Sequence, residues 1–221
     1  MTDCREKIYR NAGNLPLLDM LPNSPGQVLD CGCGAGDNAK ILKDRGWTVT
    51  GITLSPEEQR TASAYCSEVY LADLNNGFPK TLGNGYNLIL FSHVLEHLIS
   101  PAKLLEESRN LLAPDGQVAV ALPNVLFYPY RLRFLRGKFE YENSGALDET
   151  HLKFYTFSSG LRLLESSGYQ LKRAMADGVF PLWKFRNIFP ASFVRSLNSF
   201  ATGHWPGLFG CQSLYIATAI P

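Results

Sequence analysis

The chain has 221 residues, 45% of them hydrophobic and 19% charged, a balance that excludes a disordered polypeptide and supplies one full core. No run reaches the roughly 20 apolar residues of a membrane span, and the opening MTDCREKIYR lacks the apolar stretch of a secretory signal. A formal net charge of +1 gives no basic footprint for wholesale nucleic-acid binding. The charge is uneven, however: Asp177 is the last acidic residue, and Lys184, Arg186 and Arg195 follow it unopposed. Five cysteines without a C-x-x-C pair predict reduced thiols in a cytoplasmic protein.

Residues 1–25 read as a helical lead-in closed by the breakers Pro22-Asn23-Ser24-Pro25-Gly26. Strand-length apolar runs then alternate with helical patterns. Val28–Cys31 is a strand, Asn38–Arg45 a helix, Trp47–Thr53 a strand, and Pro56–Cys66 a helix with proline in its first turn. Val69–Ala72 and Tyr86–Phe91 are strands. Pro101–Leu112 is a helix with Leu104, Leu105, Ser108, Leu111 and Leu112 on one face. After the turn Pro114-Asp115-Gly116, residues 117–122 form a fifth strand; Thr156 N-caps a helix ending near Gly168. Tyr169–Met175 and Ser213–Ala219 complete seven strands. Such alternation predicts an α/β fold, a doubly wound and mostly parallel seven-stranded sheet in a single domain over residues 1–221. Residues 125–150, rich in aromatic and basic residues, and 178–211, rich in aromatics and broken by prolines, fall outside the alternation and are expected to be lid or insert segments over the functional edge.

The sharpest feature is Val28-Leu29-Asp30-Cys31-Gly32-Cys33-Gly34-Ala35-Gly36, a strand running into glycines and then a helix. Glycines there permit a tight turn and close approach of a ligand whose anionic part meets free N–H groups. The dinucleotide fingerprint G-x-G-x-x-G needs a third glycine where Asp37 stands, and an acid near the end of the second strand, which ends in Thr53. A nicotinamide-dependent oxidoreductase is therefore the weaker alternative.

VLDCGCGAG resembles the first motif of the class I S-adenosylmethionine-dependent methyltransferases. The resemblance continues in order through LADLNNGFP, NLILFSHVLEHL, LLAPDGQVAVALPN and DETHLKFYTF, covering roughly residues 26–175. It is greatest to small bacterial members whose fourth strand leads into HVLEHL. It implies the Rossmann-like methyltransferase fold, S-adenosyl-L-methionine as cofactor and S-adenosyl-L-homocysteine as product. Asp30 would meet the methionine ammonium, and Gly32, Gly34 and Gly36 would admit the methionine and ribose parts. Asp73 would accept from the adenine amine, with Leu74 offering its backbone N–H. Ser92 and His93 would line the wall beside the reactive methyl. Where the family ends its second strand with a ribose-binding acid, this chain has Thr53 followed by Leu54. A similar G-[IV]-T-L-S run occurs in the cyclopropane fatty acid synthases.

His93-Val94-Leu95-Glu96-His97 spells the H-x-x-E-H of inverted zinc peptidases, which needs both histidines on one helix; here the motif follows a buried strand directly. Ubiquinone-pathway O-methyltransferases resemble it with E-x-x-E-H, a trio able to hold a divalent ion. With His93 replacing the first acid, Glu96 and His97 are assigned to the substrate pocket and no metal is expected. His151, in Asp148-Glu149-Thr150-His151, titrates near neutrality and is the candidate base for a substrate hydroxyl, with His93 beside the reaction as the second catalytic candidate. Asn124, just past the fifth strand, contacts substrate or caps the next segment. The expected activity is methyl transfer to an oxygen or nitrogen of a small molecule, a sugar or lipid-linked metabolite. The expected partners are that acceptor and, through the basic aromatic segments, a peripheral membrane contact, with no nucleic acid. A cofactor-binding regulatory protein without turnover is the other alternative.

Overall fold

The computed structural model describes residues 12–182 and 188–220. Seven strands form one sheet: β1 (Gln27–Cys31), β2 (Thr48–Thr53), β3 (Glu68–Leu71), β4 (Tyr86–Ser92), β5 (Leu112–Pro123), β6 (Tyr169–Gly178) and β7 (Gly210–Ala219). Their order across the sheet is β3-β2-β1-β4-β5-β7-β6. β1 to β5 run parallel, and β7 lies antiparallel between β5 and β6.

Parallel strands need both faces covered, and the side-chain alternation provides for both. On β4 and β5, Ile89, Phe91, Val118, Val120 and Leu122 enter one apolar cluster, joined by Leu104 and Leu105 of α4 (Pro101–Ser108) and Leu164 of α6 (Phe157–Ser166). The alternate residues Leu88, Leu90, Ala119 and Ala121 enter the other, which includes Leu17 and Leu18 of α1 (Leu15–Leu18) and Ala39 and Leu42 of α2 (Asp37–Asp44). Between β1 and β4 the strand order reverses, opening a crevice at the carboxyl edge where ligands bind in such sheets.

Several boundaries differ from the expectations. Of the lead-in, only Leu15–Leu18 is helical among the described residues, its N-cap Asn14 accepting from the Leu17 N–H. The helix expected over residues 56–66 is α3 (Pro56–Ala62), and that over 101–112 ends at Ser108 and tightens into a 3₁₀ turn, Arg109–Leu111. Pro114-Asp115-Gly116 does not separate helix from strand. It is a bulge inside β5, with Asp115 at φ +61° and a register shift against β4. The two segments outside the alternation rise from the carboxyl edge and carry helices: α5 (Tyr128–Leu135) in the first, α7 (Ala191–His204) and α8 (Pro206–Phe209) in the second. No helix among the described residues is long and apolar enough to cross a membrane.

Candidate functional site

The glycine turn leaves β1 with Gly32, Gly34 and Gly36 all at positive φ, +70°, +53° and +90°. Gly36 N-caps α2 from this left-handed conformation and supplies no side chain to the helix. A Cβ on Gly32 would lie 2.6 Å from Val94 Cγ2, so the turn is packed against the segment after β4. Beneath it Asp30 is 1% exposed, and neither carboxylate oxygen has a hydrogen-bond partner among the described residues. Burial raises its pKa to about 7. An unsatisfied buried carboxylate beside a turn of left-handed glycines fits a ligand that brings a cation, as the ammonium of S-adenosylmethionine does.

At the end of β2, Thr53 is buried and its hydroxyl donates to Glu58 Oε2 at 2.6 Å. Glu58 stands in the first turn of α3 and is itself only 5% exposed. The sequence singled out Thr53 and Leu54 and missed Glu58, whose acidic residue type three positions after the cap Ser55 was the available signal. Leu54 projects outward, 40% exposed. Past β3, Asp73 caps the 3₁₀ turn Leu74–Asn76: its Oδ1 accepts from the Asn75 N–H at 2.9 Å and from the Asn75 amide at 3.2 Å. Leu74 behind it is buried.

Beyond β4, Ser92 Oγ accepts from Asn14 Nδ2 at 3.2 Å, and His93 turns the chain at φ +57°. Gln212 Nε2 donates to Asp177 Oδ2 at 2.9 Å, and Gln212 Oε1 accepts from Asn14 Nδ2 at 3.0 Å. This network assigns the amide orientation, so His93 Nε2, 2.9 Å from Gln212 Oε1, must donate. The other ring nitrogen, Nδ1, faces Glu96 Oε1 at 3.3 Å. Desolvation pushes the His93 pKa down, but the hydrogen bond and charge of Glu96, aided by Gln212, outweigh it and raise the value. The ring is thus held on both sides, by Glu96 and by Gln212.

His151 is arranged the opposite way. Its Nδ1 donates to the Ala146 carbonyl at 3.2 Å, which leaves the lone pair on Nε2, and burial lowers its pKa. His97, in the 3₁₀ turn Leu95–His97, meets His151 edge-on with ring centroids 4.7 Å apart. His97 Nδ1 faces the Thr150 carbonyl at 3.3 Å and the Thr150 hydroxyl at 3.2 Å. That hydroxyl donates to Asp148 Oδ1 at 2.6 Å. His97 therefore also keeps its Nε2 lone pair. Glu96 is fully buried, and its Oε2 has no partner among the described residues. Ligand-type atoms of Glu96, His97 and His151 lie within 4.8 Å of one another, a carboxylate-plus-two-imidazole set that suits a borderline divalent cation. The two backbone N–H groups of Leu152 and Lys153 close on the Glu96 carbonyl at 2.9 and 3.0 Å, pinning the first insert to this turn.

Asn124 caps the segment that follows β5. It is fully buried; its amide donates to Gly207 and Gly210 carbonyls at 3.1 and 2.7 Å, and its Oδ1 accepts from the Leu126 N–H at 3.1 Å. These bonds tie β5 to the second insert and to the segment that follows the strand.

The methyltransferase-domain family profile matches residues 4–173. A ubiquinone biosynthesis O-methyltransferase of Psychrobacter arcticus is 30% identical over 105 residues, 44% of this chain and 41% of that protein. One of Burkholderia pseudomallei is 24% identical over 180 residues, 79% of this chain and 78% of that protein. The chain thus spans about two-fifths of the length of the first of these relatives. Among solved structures, a SAM-dependent methyltransferase from Archaeoglobus fulgidus superposes with a TM-score of 0.65 at 20% identity, covering 92% of this chain and 90% of the other, a likeness of fold. With most of its length matched by the family profile, and with the glycine turn, orphan carboxylate and sheet order all in place, the chain belongs to the methyltransferase-domain family as a class I, S-adenosylmethionine-dependent member.

Proposed function

We propose that this chain transfers a methyl group from S-adenosylmethionine to an oxygen of a small molecule, with His151 taking the proton. Bound at the glycine turn, the cofactor supplies an electrophilic methyl carbon. Asp30 holds the ammonium and regains the partner its burial denies it. Thr53 and Glu58 together replace the ribose-binding acid missing from the end of β2. Positioning of the acceptor and exclusion of water contribute most of the rate. The observation that carries the reading is the His151 ring, whose Nδ1–H is committed to a carbonyl so that Nε2 is left basic among Glu96 and His97. Oxygen is favoured over nitrogen because a hydroxyl must lose its proton to a base, and the sequence relatives carry the name O-methyltransferase.

The orphan Oε2 of Glu96 favours a second reading. Glu96, His97 and His151 would hold a divalent cation that supplies Lewis-acid lowering of the acceptor hydroxyl's pKa. The two readings separate experimentally. Calorimetric titration should give micromolar binding of S-adenosylhomocysteine and none of NAD; failure of the first overturns the cofactor assignment. A screen with labelled methyl donor then identifies acceptors. With one in hand, His151→Ala should lower kcat by roughly 10²–10⁴-fold. Because burial depresses the His151 pKa, the wild-type rate should climb through a midpoint below the ordinary histidine value and be flat above it. Activity lost in chelator and restored by added metal selects the cation reading instead.

A further inference from the structure

From Gly116 to Phe139, and again from Gly178 to Pro221, the chain contains no aspartate or glutamate. The first stretch carries Arg131, Arg133, Arg136 and Lys138; the second carries Lys184, Arg186 and Arg195. Seven positive charges therefore stand on two acid-free stretches, leaving −6 on the rest of a chain whose total is +1. These stretches build the excursions that rise from the carboxyl edge as α5 and as α7 and α8. Lys184 and Arg186 lie outside the described residues. Arg133 is paired with Glu142, whereas Arg131, Arg136, Lys138 and Arg195 are exposed.

The same excursions hold large apolar side chains in solvent: Leu132, Leu135 and Phe139 on the first, Phe193, Phe200 and Trp205 on the second. Leu135 is 84% exposed. Along α7 the inward positions are Val194, Ala201 and Thr202. Phe193, Leu197, Phe200 and His204 recur at i, i+4, i+7 and i+11 as a separate stripe, on which Phe200 and His204 pack with ring centroids 4.1 Å apart. The two excursions touch: Arg131 Nη2 donates to the Gly207 carbonyl at 3.0 Å, and the Tyr128 and Phe209 rings lie 6.2 Å apart.

We propose that these two excursions form a docking surface for an anionic lipid bilayer. Exposed aromatic and aliphatic side chains enter the interface while the neighbouring cations meet acidic headgroups. A nucleic acid would use the charges and leave the aliphatic side chains without a role. Two copies facing each other would oppose like charges. Docking turns the carboxyl edge toward the bilayer, where a lipid-anchored acceptor resides; that consequence rests on the methyl-transfer reading, whereas the docking itself does not.

The test is co-sedimentation of the full chain with phosphatidylcholine vesicles, with and without phosphatidylglycerol. Wild type should pellet with the anionic vesicles, stay in the supernatant with the neutral ones, and be released as salt rises. Arg136→Glu with Lys138→Glu, and separately Phe193→Ser with Phe200→Ser, should each reduce binding by roughly tenfold or more, with S-adenosylhomocysteine affinity and Tm unchanged as the check on folding. Absence of binding to anionic vesicles, equal binding to neutral ones, or indifference to the charge pair overturns the proposal. So does light scattering that shows self-association abolished by these substitutions, which would make the face a contact between copies. Failure of docking would leave cofactor binding untouched, so the two readings fall separately.

Discussion

Thr53 shows how a single position can mislead when read alone. The resemblance expects an acid at the end of β2, and a hydroxyl is a weaker partner for a ribose diol than an ionised carboxylate. The fold returns the carboxylate from the next element: Glu58 accepts the Thr53 hydroxyl at 2.6 Å, and both are buried. If the pair grips the ribose, Glu58→Ala should weaken S-adenosylhomocysteine binding by about 10- to 100-fold, the worth of a hydrogen bond to a charged group. Thr53→Val should cost less, because the acid remains. Calorimetry checks both; a lowered Tm with unaltered affinity would assign Glu58 to bracing the turn. His93 teaches the converse. Its place at a strand end was legible, but its partner Gln212 stands 119 residues away. No local pattern encodes such a pairing.

Elements were legible where local chemistry and tertiary packing agree. Thr156 is such a case: its Oγ1 accepts from the Ser159 N–H at 3.1 Å, and the Ser159 hydroxyl accepts from the Thr156 N–H at 2.8 Å, a reciprocal capping box at the start of α6. The cap is separate from the cofactor crevice. Thr156→Ala should therefore cost about 1 kcal/mol and lower Tm by roughly 2–4 °C without altering S-adenosylhomocysteine affinity; thermal melts and calorimetry measure the two. Elements were misjudged where packing overrides periodicity. The leucine pattern of residues 101–112 continues to Leu112, but the chain tightens at Arg109–Leu111 so that β5 can begin beside Tyr86. Of the lead-in expected over residues 1–25, residues 1–11 lie outside the described residues, and among the rest only Leu15–Leu18 is helical. What holds it is Leu17 and Leu18 against the sheet and Asn14 reaching Ser92 and Gln212.

At the scale of the whole molecule, a mostly parallel seven-stranded sheet was legible in the alternation of strands and helices, whereas the place of β7, antiparallel between β5 and β6, was not. Nor was the meeting of Glu96, His97 and His151. His151 reaches Glu96 and His97 only because the first insert folds back over the edge, a path set by Tyr130 accepting from the Ala146 N–H at 3.2 Å and by the Leu152 and Lys153 amides on the Glu96 carbonyl. The site also places a cost on the fold that can be measured. Asp30 titrates near 3.8 in the unfolded chain and at about 7 in the folded one, so across that interval the folded state binds the extra proton. The contribution of Asp30 to stability is greatest at the acid end, falls as pH rises from about 4 to about 7, and is flat above. The full loss is on the order of 4 kcal/mol. His93, with its raised pKa, adds a slope of the same sign, and His151, with its lowered one, a slope of opposite sign below the ordinary histidine value. The comparison that isolates Asp30 is therefore Asp30→Asn against wild type at matched pH. Without ligand, the variant should melt higher than wild type at pH 8 and lose much of that advantage at pH 5. Saturating S-adenosylhomocysteine should raise the wild-type Tm most at pH 8, where its ammonium meets the ionised carboxylate, and should scarcely move the variant. Equal pH slopes for the two proteins would mean that the carboxylate is not the group held out of water.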